Sequence, residues 1–382
     1  MKFAHIGDCH LGSWRQPELK ELNFKSFQTA ISRCIKERVD FVLITGDLFD
    51  AAYPPIDTLK ETFKEFKNLK DEKIDVFLIA GSHDYSVSGK SFIDVLEKAG
   101  FCRNISNFEE RNGKIMLLPT IYKNIALYGY PGKKLGLEAG ELEDFSIQDA
   151  PGMFKILLLH TAIKDAIGNL PIKSVDEKKL PQVDYLALGH LHIKYQKGAM
   201  VYPGPIFPNN LAELEELGNG SFYIYDNNKI RREEIKLKKV LVIEKEINNA
   251  LIATDILAEE IKRAYLEGGI LILKVSGILE KGKATDIDFN FLENFAKQRG
   301  AYCFLKSTSK LFMSETDIKL DHLDTPHLEE KIIETFEKSN PDKLNALIRP
   351  LIRALQIEKM DDEKGALFEE RLMTDVKKII SS

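Results

Sequence analysis

The first 200 residues repeat one pattern: a short apolar run, a polar cluster, and then in several places a segment with helical spacing. Residues 3–6 lead to Gly7-Asp8-Cys9-His10, and residues 41–44 lead to Gly46-Asp47. Residues 76–79 lead to Gly81-Ser82-His83-Asp84, residues 156–159 to His160, and residues 185–188 to Gly189-His190-Leu191-His192. Runs this short and this continuously apolar predict strands buried on both faces. Helical stretches at 21–38, 56–69 and 91–98 lie between the early runs, which predicts an α/β layered fold. In such folds ligands sit beyond the carboxyl ends of strands, and every polar cluster here occupies such an end.

From about residue 198 the pattern changes. Residues 199–202, 221–225 and 230–237 read as successive strands without intervening helices, and they are expected to finish the sheets of the first domain. A smaller unit follows: strand at 240–247, helix at 255–266, strand at 270–275, helix at 286–298 and strand at 301–307. This predicts an α/β capping domain of about 75 residues. After Asp324-Thr325-Pro326 come two helical segments with a break at Asn340-Pro341. The second carries Leu344, Leu347, Ile348, Leu351, Ile352 and Leu355, an i, i+3, i+4, i+7 stripe. Pro350 inside it should kink it or mark a first turn. The expected domains are 1–237, 238–318 and 319–382.

Composition narrows the class. The chain has 382 residues, 44% hydrophobic and 30% charged, which suits a globular protein with more than one core. No apolar run approaches the ~20 residues of a spanning helix, and the start lacks a leader pattern, so no membrane and a cytoplasmic location are expected. Four cysteines, Cys9, Cys34, Cys102 and Cys303, form no CxxC pair, which fits a reducing compartment and argues against a cysteine-bound zinc. The net charge of −5 excludes a broad basic footprint but leaves room for a local basic face. It predicts modest intrinsic affinity for nucleic acid, or help from a partner.

The chemistry lies in the histidines. Of eight, His10, His83, His160, His190 and His192 fall at strand ends, with Asp8, Asp84, Asp47 and Asp50 in clusters of the same kind. Imidazole and carboxylate together suit a borderline divalent ion such as Mn²⁺, Fe²⁺ or Zn²⁺. In an extended chain residues i and i+2 face one side, so Asp8 and His10 can share an ion while Cys9 points away; His190 and His192 repeat the arrangement. Asp47 follows a glycine, where the backbone can turn tightly, and a carboxylate there can bridge two ions. Each motif alone is weak, and a lone His160 after an apolar strand is usually a core histidine. The five clusters in order carry the argument.

That order, D-x-H, G-D-x-x-D, G-x-H-D, H and G-H-x-H, resembles the calcineurin-like metallophosphoesterases over about residues 1 to 235. The resemblance implies a four-layer sandwich of two mixed sheets flanked by helices, followed here by the small α/β cap and the helical segment. It implies two divalent ions, Mn²⁺ foremost: one held by Asp8, His10, Asp47 and His192, the other by Asp47, Ser82, His160 and His190. His83 matches the family's catalytic histidine, and Asp50 its partner carboxylate. Ser82 departs from the usual asparagine. A hydroxyl is shorter and a poorer ligand, so the second ion is expected to bind more weakly.

Further features resemble the meiotic-recombination-eleven family of DNA double-strand-break repair nucleases, and more distantly bacterial SbcD. They are His5-x-x-Asp8-x-His10-Leu11-Gly12 followed by Trp14-Arg15, Gly46-Asp47-Leu48-Phe49-Asp50 with Pro54-Pro55 beyond, and Tyr202-Pro203-Gly204-Pro205. Asp50 stands where many of those nucleases have histidine. The resemblance implies a homodimeric exo- and endonuclease acting on DNA ends. Its C-terminal helices would dock on a coiled-coil ABC-type ATPase of the Rad-fifty type. Trp14, Arg15 and Lys90 are the candidate DNA contacts, by stacking and phosphate pairing. The alternatives are a phosphodiesterase or phosphatase for small phosphoesters on the same fold, and a catalytically weakened DNA-tethering scaffold.

Overall fold

The computed structural model describes residues 1–86, 89–111, 114–168, 172–313, 333–334, 336–338, 345–357 and 365–381. Two six-stranded mixed sheets face each other. The first orders Lys229–Ile235, Gly220–Asp226, Lys2–Ile6, Phe41–Thr45, Asp75–Ile79 and Arg103–Asn104, the last four parallel. The second orders Lys194–Lys197, Met200–Pro203, Tyr185–Gly189, Phe154–His160, Ile125–Tyr130 and Thr120–Tyr122, with the central four parallel.

Strand pleating explains the unbroken apolar runs. Phe41 and Leu43 point into the core between the sheets, where they meet Ile156, Leu158 and Tyr185. Val42 and Ile44 point the other way, under the helix layer. That layer comprises Pro17–Lys36, Ile56–Asp71 and Phe92–Lys98, which bury Leu19, Phe27, Ile31, Phe66 and Ile93 among others. The outer face of the second sheet packs against short helical turns and a small sheet of Phe108–Arg111, Lys114–Leu117 and Phe145–Ile147. The four-layer arrangement expected from the resemblance is present.

The region after residue 198 corrects one expectation. Between the strands Met200–Pro203 and Gly220–Asp226 lies a helix, Leu211–Leu217. Asn210 caps it, its side chain accepting from the Glu213 N–H at 2.9 Å, and Gly218 ends it in the left-handed region at φ 64°. The helix spans only two turns and buries one side chain, Leu214, so its apolar period is too short to read.

A third sheet, all parallel, consists of Val240–Glu246, Ile270–Leu279 and Cys303–Met313. Helices Ala253–Arg263 and Phe289–Gln298 cover one face, over Leu271 and Leu273. The alternate residues Ile270 and Ile272, with Cys303 and Leu305, belong to the same buried cluster as Leu19 and Leu214. The third sheet is thus docked on the main body. Lys297–Glu18 and Lys274–Glu215 ion pairs, at 3.3 and 2.7 Å, flank the junction.

In the tail, Asn345–Leu355 is helical with Pro350 inside it, and it lies against a second helix, Gly365–Ser381, which the sequence reading does not separate. The expected break at Asn340-Pro341, and Leu344, lie outside the described residues. Among the described residues, no helix is long and apolar enough to cross a membrane.

Candidate metal centre

The carboxyl ends of the parallel strands in both sheets converge at one edge of the sandwich. The first sheet brings Asp8, His10, Asp47, Asp50, Ser82 and His83; the second brings His160, His190 and His192. The turns that present them are left-handed: φ is 48° at Asp8, 42° at His10, 47° at Asp47, 99° at His190 and 52° at His192. The convergence of Asp8 with His10 therefore comes from consecutive turns rather than from the pleat of an extended chain, while Cys9 packs in the apolar cluster under the helix layer. Non-glycine residues seldom adopt such conformations, and their clustering marks a functional site. Gly46 is required: at φ 87°, a Cβ there would lie 2.3 Å from His160 Nδ1.

Backbone hydrogen bonds lock the loops. His10 N donates to Asp47 O and Leu11 N to Leu48 O, both at 2.9 Å. Asp84, fully buried, accepts from the N–H groups of Gly81, Leu48 and Phe49 at 2.8, 3.2 and 3.0 Å, clipping the second and third loops together. Burial, then the charge of Asp47, lifts its carboxyl to about 6 against those bonds. Sequence reading notes Asp84 but not this clip, because its partners are main-chain atoms.

One donor atom from each of Asp8, His10, Asp47 and His192 lies within 4.8 Å of the others. His10 Nε2 and His192 Nε2 face each other at 3.0 Å, and His10 Nε2 is 3.5 Å from Asp47 Oδ2. The same Asp47 Oδ2 lies 3.2 Å from His160 Nε2 and accepts from the Ser82 hydroxyl at 3.5 Å, and the His190 ring centre stands 5.1 Å from that of His160. Asp8 Oδ2 and His160 Nε2 are buried without a hydrogen-bond partner. Buried polar atoms are otherwise almost always paired. Orphaned oxygen and nitrogen atoms in a buried set of carboxylates and imidazoles fit divalent cations.

For three of the rings, hydrogen bonds on the far side set the tautomer. His160 Nδ1 donates to the Thr45 carbonyl at 2.8 Å, which turns Nε2 toward Asp47 Oδ2, where it holds either a proton or a cation. His83 Nδ1 donates to the Asp50 carbonyl at 2.8 Å, leaving Nε2 free on an exposed ring. His192 Nδ1 donates to Glu213 at 3.0 Å, a partner the sequence reading misses because it sits on the unrecognised helix. The pattern Asn210-x-x-Glu213, an N-cap residue followed three places on by Glu, is the signal that marks it.

Charges follow. Burial works against ionisation of Asp47, but His160, His10 and the His83 N–H outweigh it and hold the carboxyl well below the usual range. Burial likewise opposes a charge on His160, yet Asp47, Asp8 and the Thr45 carbonyl raise it to about 10. Burial and the charge of His160 lower His190.

The geometry gives Asp50 a different hold on His83 from the one expected. Asp50 holds His83 through its main-chain carbonyl, while its carboxylate Oδ1 lies 3.3 Å from His10 Nδ1. Trp14 donates its indole N–H to the Pro208 carbonyl at 2.8 Å and packs, partly buried, on the main core. Arg15 and Lys90 are exposed.

Residues 1–194 match the family model described as calcineurin-like phosphoesterase. The chain belongs to that family. Members are metal-dependent hydrolases of phosphoesters, which agrees with the donor set above. This phosphoesterase is 27% identical over 239 residues to the DNA double-strand break repair protein Mre11 of Archaeoglobus fulgidus, covering 57% of this chain and 52% of that one. It is 28% identical over 239 residues to the protein of the same name from Methanocaldococcus jannaschii, covering 59% and 62%. An uncharacterized metallophosphoesterase of Bacillus subtilis, YhaO, is 28% identical over 240 residues, covering 59% and 57%. The phosphoesterase thus spans between half and two thirds of the length of these curated relatives.

Proposed function

We propose that this phosphoesterase is a two-metal nuclease that cuts DNA phosphodiesters at or near ends, as exo- and endonuclease, in double-strand-break repair. The carrying observation is Asp47, a buried carboxylate whose Oδ2 lies within 3.5 Å of both His10 Nε2 and His160 Nε2. In this reading Asp8, His10, Asp47 and His192 hold one ion, and Asp47, Ser82, His160 and His190 hold the other, with Mn²⁺ preferred. Two such ions supply an activated water and neutralise charge on the phosphoryl group. His83 is the catalytic residue: with Nδ1–H fixed on Asp50 O, a proton on Nε2 can pass to the leaving oxygen.

DNA as substrate is supported by the repair relatives and by the openness of the edge, where His83 is exposed and Ser82 half-buried. A polymer backbone can reach such an edge; a small phosphoester needs no such access, nor a docked third sheet. Arg15 and Lys90 are the proposed phosphate contacts. The proposed units are 1–237 for catalysis, 238–318 as cap and 319–382 for a coiled-coil ABC-type ATPase, with the chain itself a homodimer. Apolar Leu355, Met373 and Ile380 stay exposed on the tail helices, which supports a partner there.

The test is cleavage of an end-labelled linear duplex by the purified chain with Mn²⁺, with chelator, and with His83→Ala in Mn²⁺. Cutting that needs both metal and His83 is expected. Turnover of a small phosphodiester without any cutting of duplex or single strands would replace DNA with a small substrate. DNA binding with no hydrolysis of any phosphoester would leave a tethering scaffold.

A further inference from the structure

We infer that Glu213 is a positioning residue for the first ion: it fixes the tautomer and ring plane of His192 so that Nε2 faces the carboxylates. The inference rests on the metal-centre reading above and extends it to a residue 21 positions away on a different element. His192 sits at φ 52° just beyond its strand, where the backbone alone leaves the ring free to turn. Its Nδ1 is 3.0 Å from Glu213 Oε1 and its Nε2 is 3.0 Å from His10 Nε2. An ionised carboxylate only accepts, so Nδ1 carries the hydrogen and the Nε2 lone pair points inward.

Glu213 is itself held from several sides. Oε2 accepts from Asn209 N at 2.9 Å, Oε1 accepts from the Asn210 side-chain amide at 2.5 Å, and the Glu213 N–H donates to Asn210 Oδ1. Leu214, next to it, is buried in the main core. At the far end of the helix the Leu217 carbonyl accepts from Lys194 Nζ at 3.1 Å, two residues beyond His192. The segment carrying the imidazole therefore grips the helix at both ends. Glu213 is not among the donors that converge on the ion, so it acts through His192.

The experiment is Mn²⁺ titration by calorimetry of the full chain, comparing wild type, Glu213→Ala, Glu213→Gln, His192→Ala and the double variant Glu213→Ala/His192→Ala. Outer-shell partners typically contribute ~10–100-fold to metal affinity, so Glu213→Ala is expected to weaken the tighter site by about that factor. Glu213→Gln keeps the shape and loses the charge, and should weaken it about threefold or more. In the His192→Ala background the Glu213 change should add nothing beyond about twofold, since it has lost the ring through which it acts. Ring-nitrogen shifts of ¹⁵N-histidine should show His192 fixed with hydrogen on Nδ1 in wild type and in tautomer exchange in Glu213→Ala. A merely structural role would not produce that change. Unchanged affinity in both single variants, or losses that multiply in the double variant, would overturn the inference. If Glu213→Ala fails to fold, Glu213→Gln and its double with His192→Ala decide it. A wild-type chain that binds no divalent ion would instead sink the metal-centre reading itself.

Discussion

The two sheets meet at one edge, yet they hold their donors by different means. The first sheet contributes all the carboxylates, two of them fixed by the main chain: His83 N donates to Asp47 at 2.8 Å, and His190 N to Asp8 at 2.8 Å. The second sheet contributes only imidazoles, fixed by an acceptor behind the ring, the Thr45 carbonyl for His160 and Glu213 for His192. The lesson is about charge. Two carboxylates in one place repel unless N–H groups and cations compensate, whereas an imidazole has to be aimed and to give up any second proton before it can ligate. In the metal-centre reading the carboxylate side supplies the negative charge that draws cations, and the imidazole side supplies aimed nitrogen donors.

That contrast can be broken by substitution. Asp47→Asn removes the shared charge and should cost the most, abolishing the two-ion stoichiometry in Mn²⁺ titration and metal-dependent hydrolysis with it. His83→Ala should leave both ions bound while lowering kcat roughly 10²–10⁴-fold, the usual contribution of a positioned proton donor; loss of metal along with activity would mean that His83 belongs to the ion-holding set. Next comes acidity. In the ion-free protein His160 keeps its second proton up to about pH 10, so an incoming ion must displace it. The affinity of that site should therefore rise with pH between 6 and 8, by up to about tenfold per unit, and heats measured in buffers of different ionisation enthalpy should reveal the released proton. A flat profile would place that proton elsewhere. Smaller still is Ser82→Asn. A longer amide ligand should tighten the weaker ion by about tenfold, or ~1.4 kcal/mol, and bring the two affinities together. Two equal sites in the wild type would remove the asymmetry that motivates it. Trp14→Phe comes last: losing one hydrogen bond should cost about 1 kcal/mol of stability in denaturant unfolding, with little change in cleavage if the ring is a brace.

Much of this centre was legible in the chain. Strands buried on both faces give uninterrupted apolar runs, and left-handed turns at their ends select Gly, Asp and His, so runs and clusters alternate visibly. The first-ion set Asp8, His10, Asp47 and His192 is one the motifs name and the fold gathers. Left-handed turns, and not strand pleating, bring Asp8 and His10 together. What stayed hidden depends on main-chain atoms or short elements. The Thr45 carbonyl lies 115 residues from His160 in sequence, and the Asp50 group that holds His83 is its carbonyl, common to all residue types. The Leu211–Leu217 helix, with one buried side chain, gave no period to detect, and Glu213 went unseen with it.

The docking of the third sheet bears on how the molecule comes apart. Composition draws a seam near residue 237, but Ile270 and Ile272 share a buried cluster with Leu19 and Leu214, so the seam is not a plane of weakness. A fragment ending there would leave an oily face bare and loosen the short helix that steadies His192. Heating should accordingly melt the body and the third sheet in a single calorimetric transition, and anyone trimming the chain to its catalytic half should expect an insoluble product with a damaged first ion site.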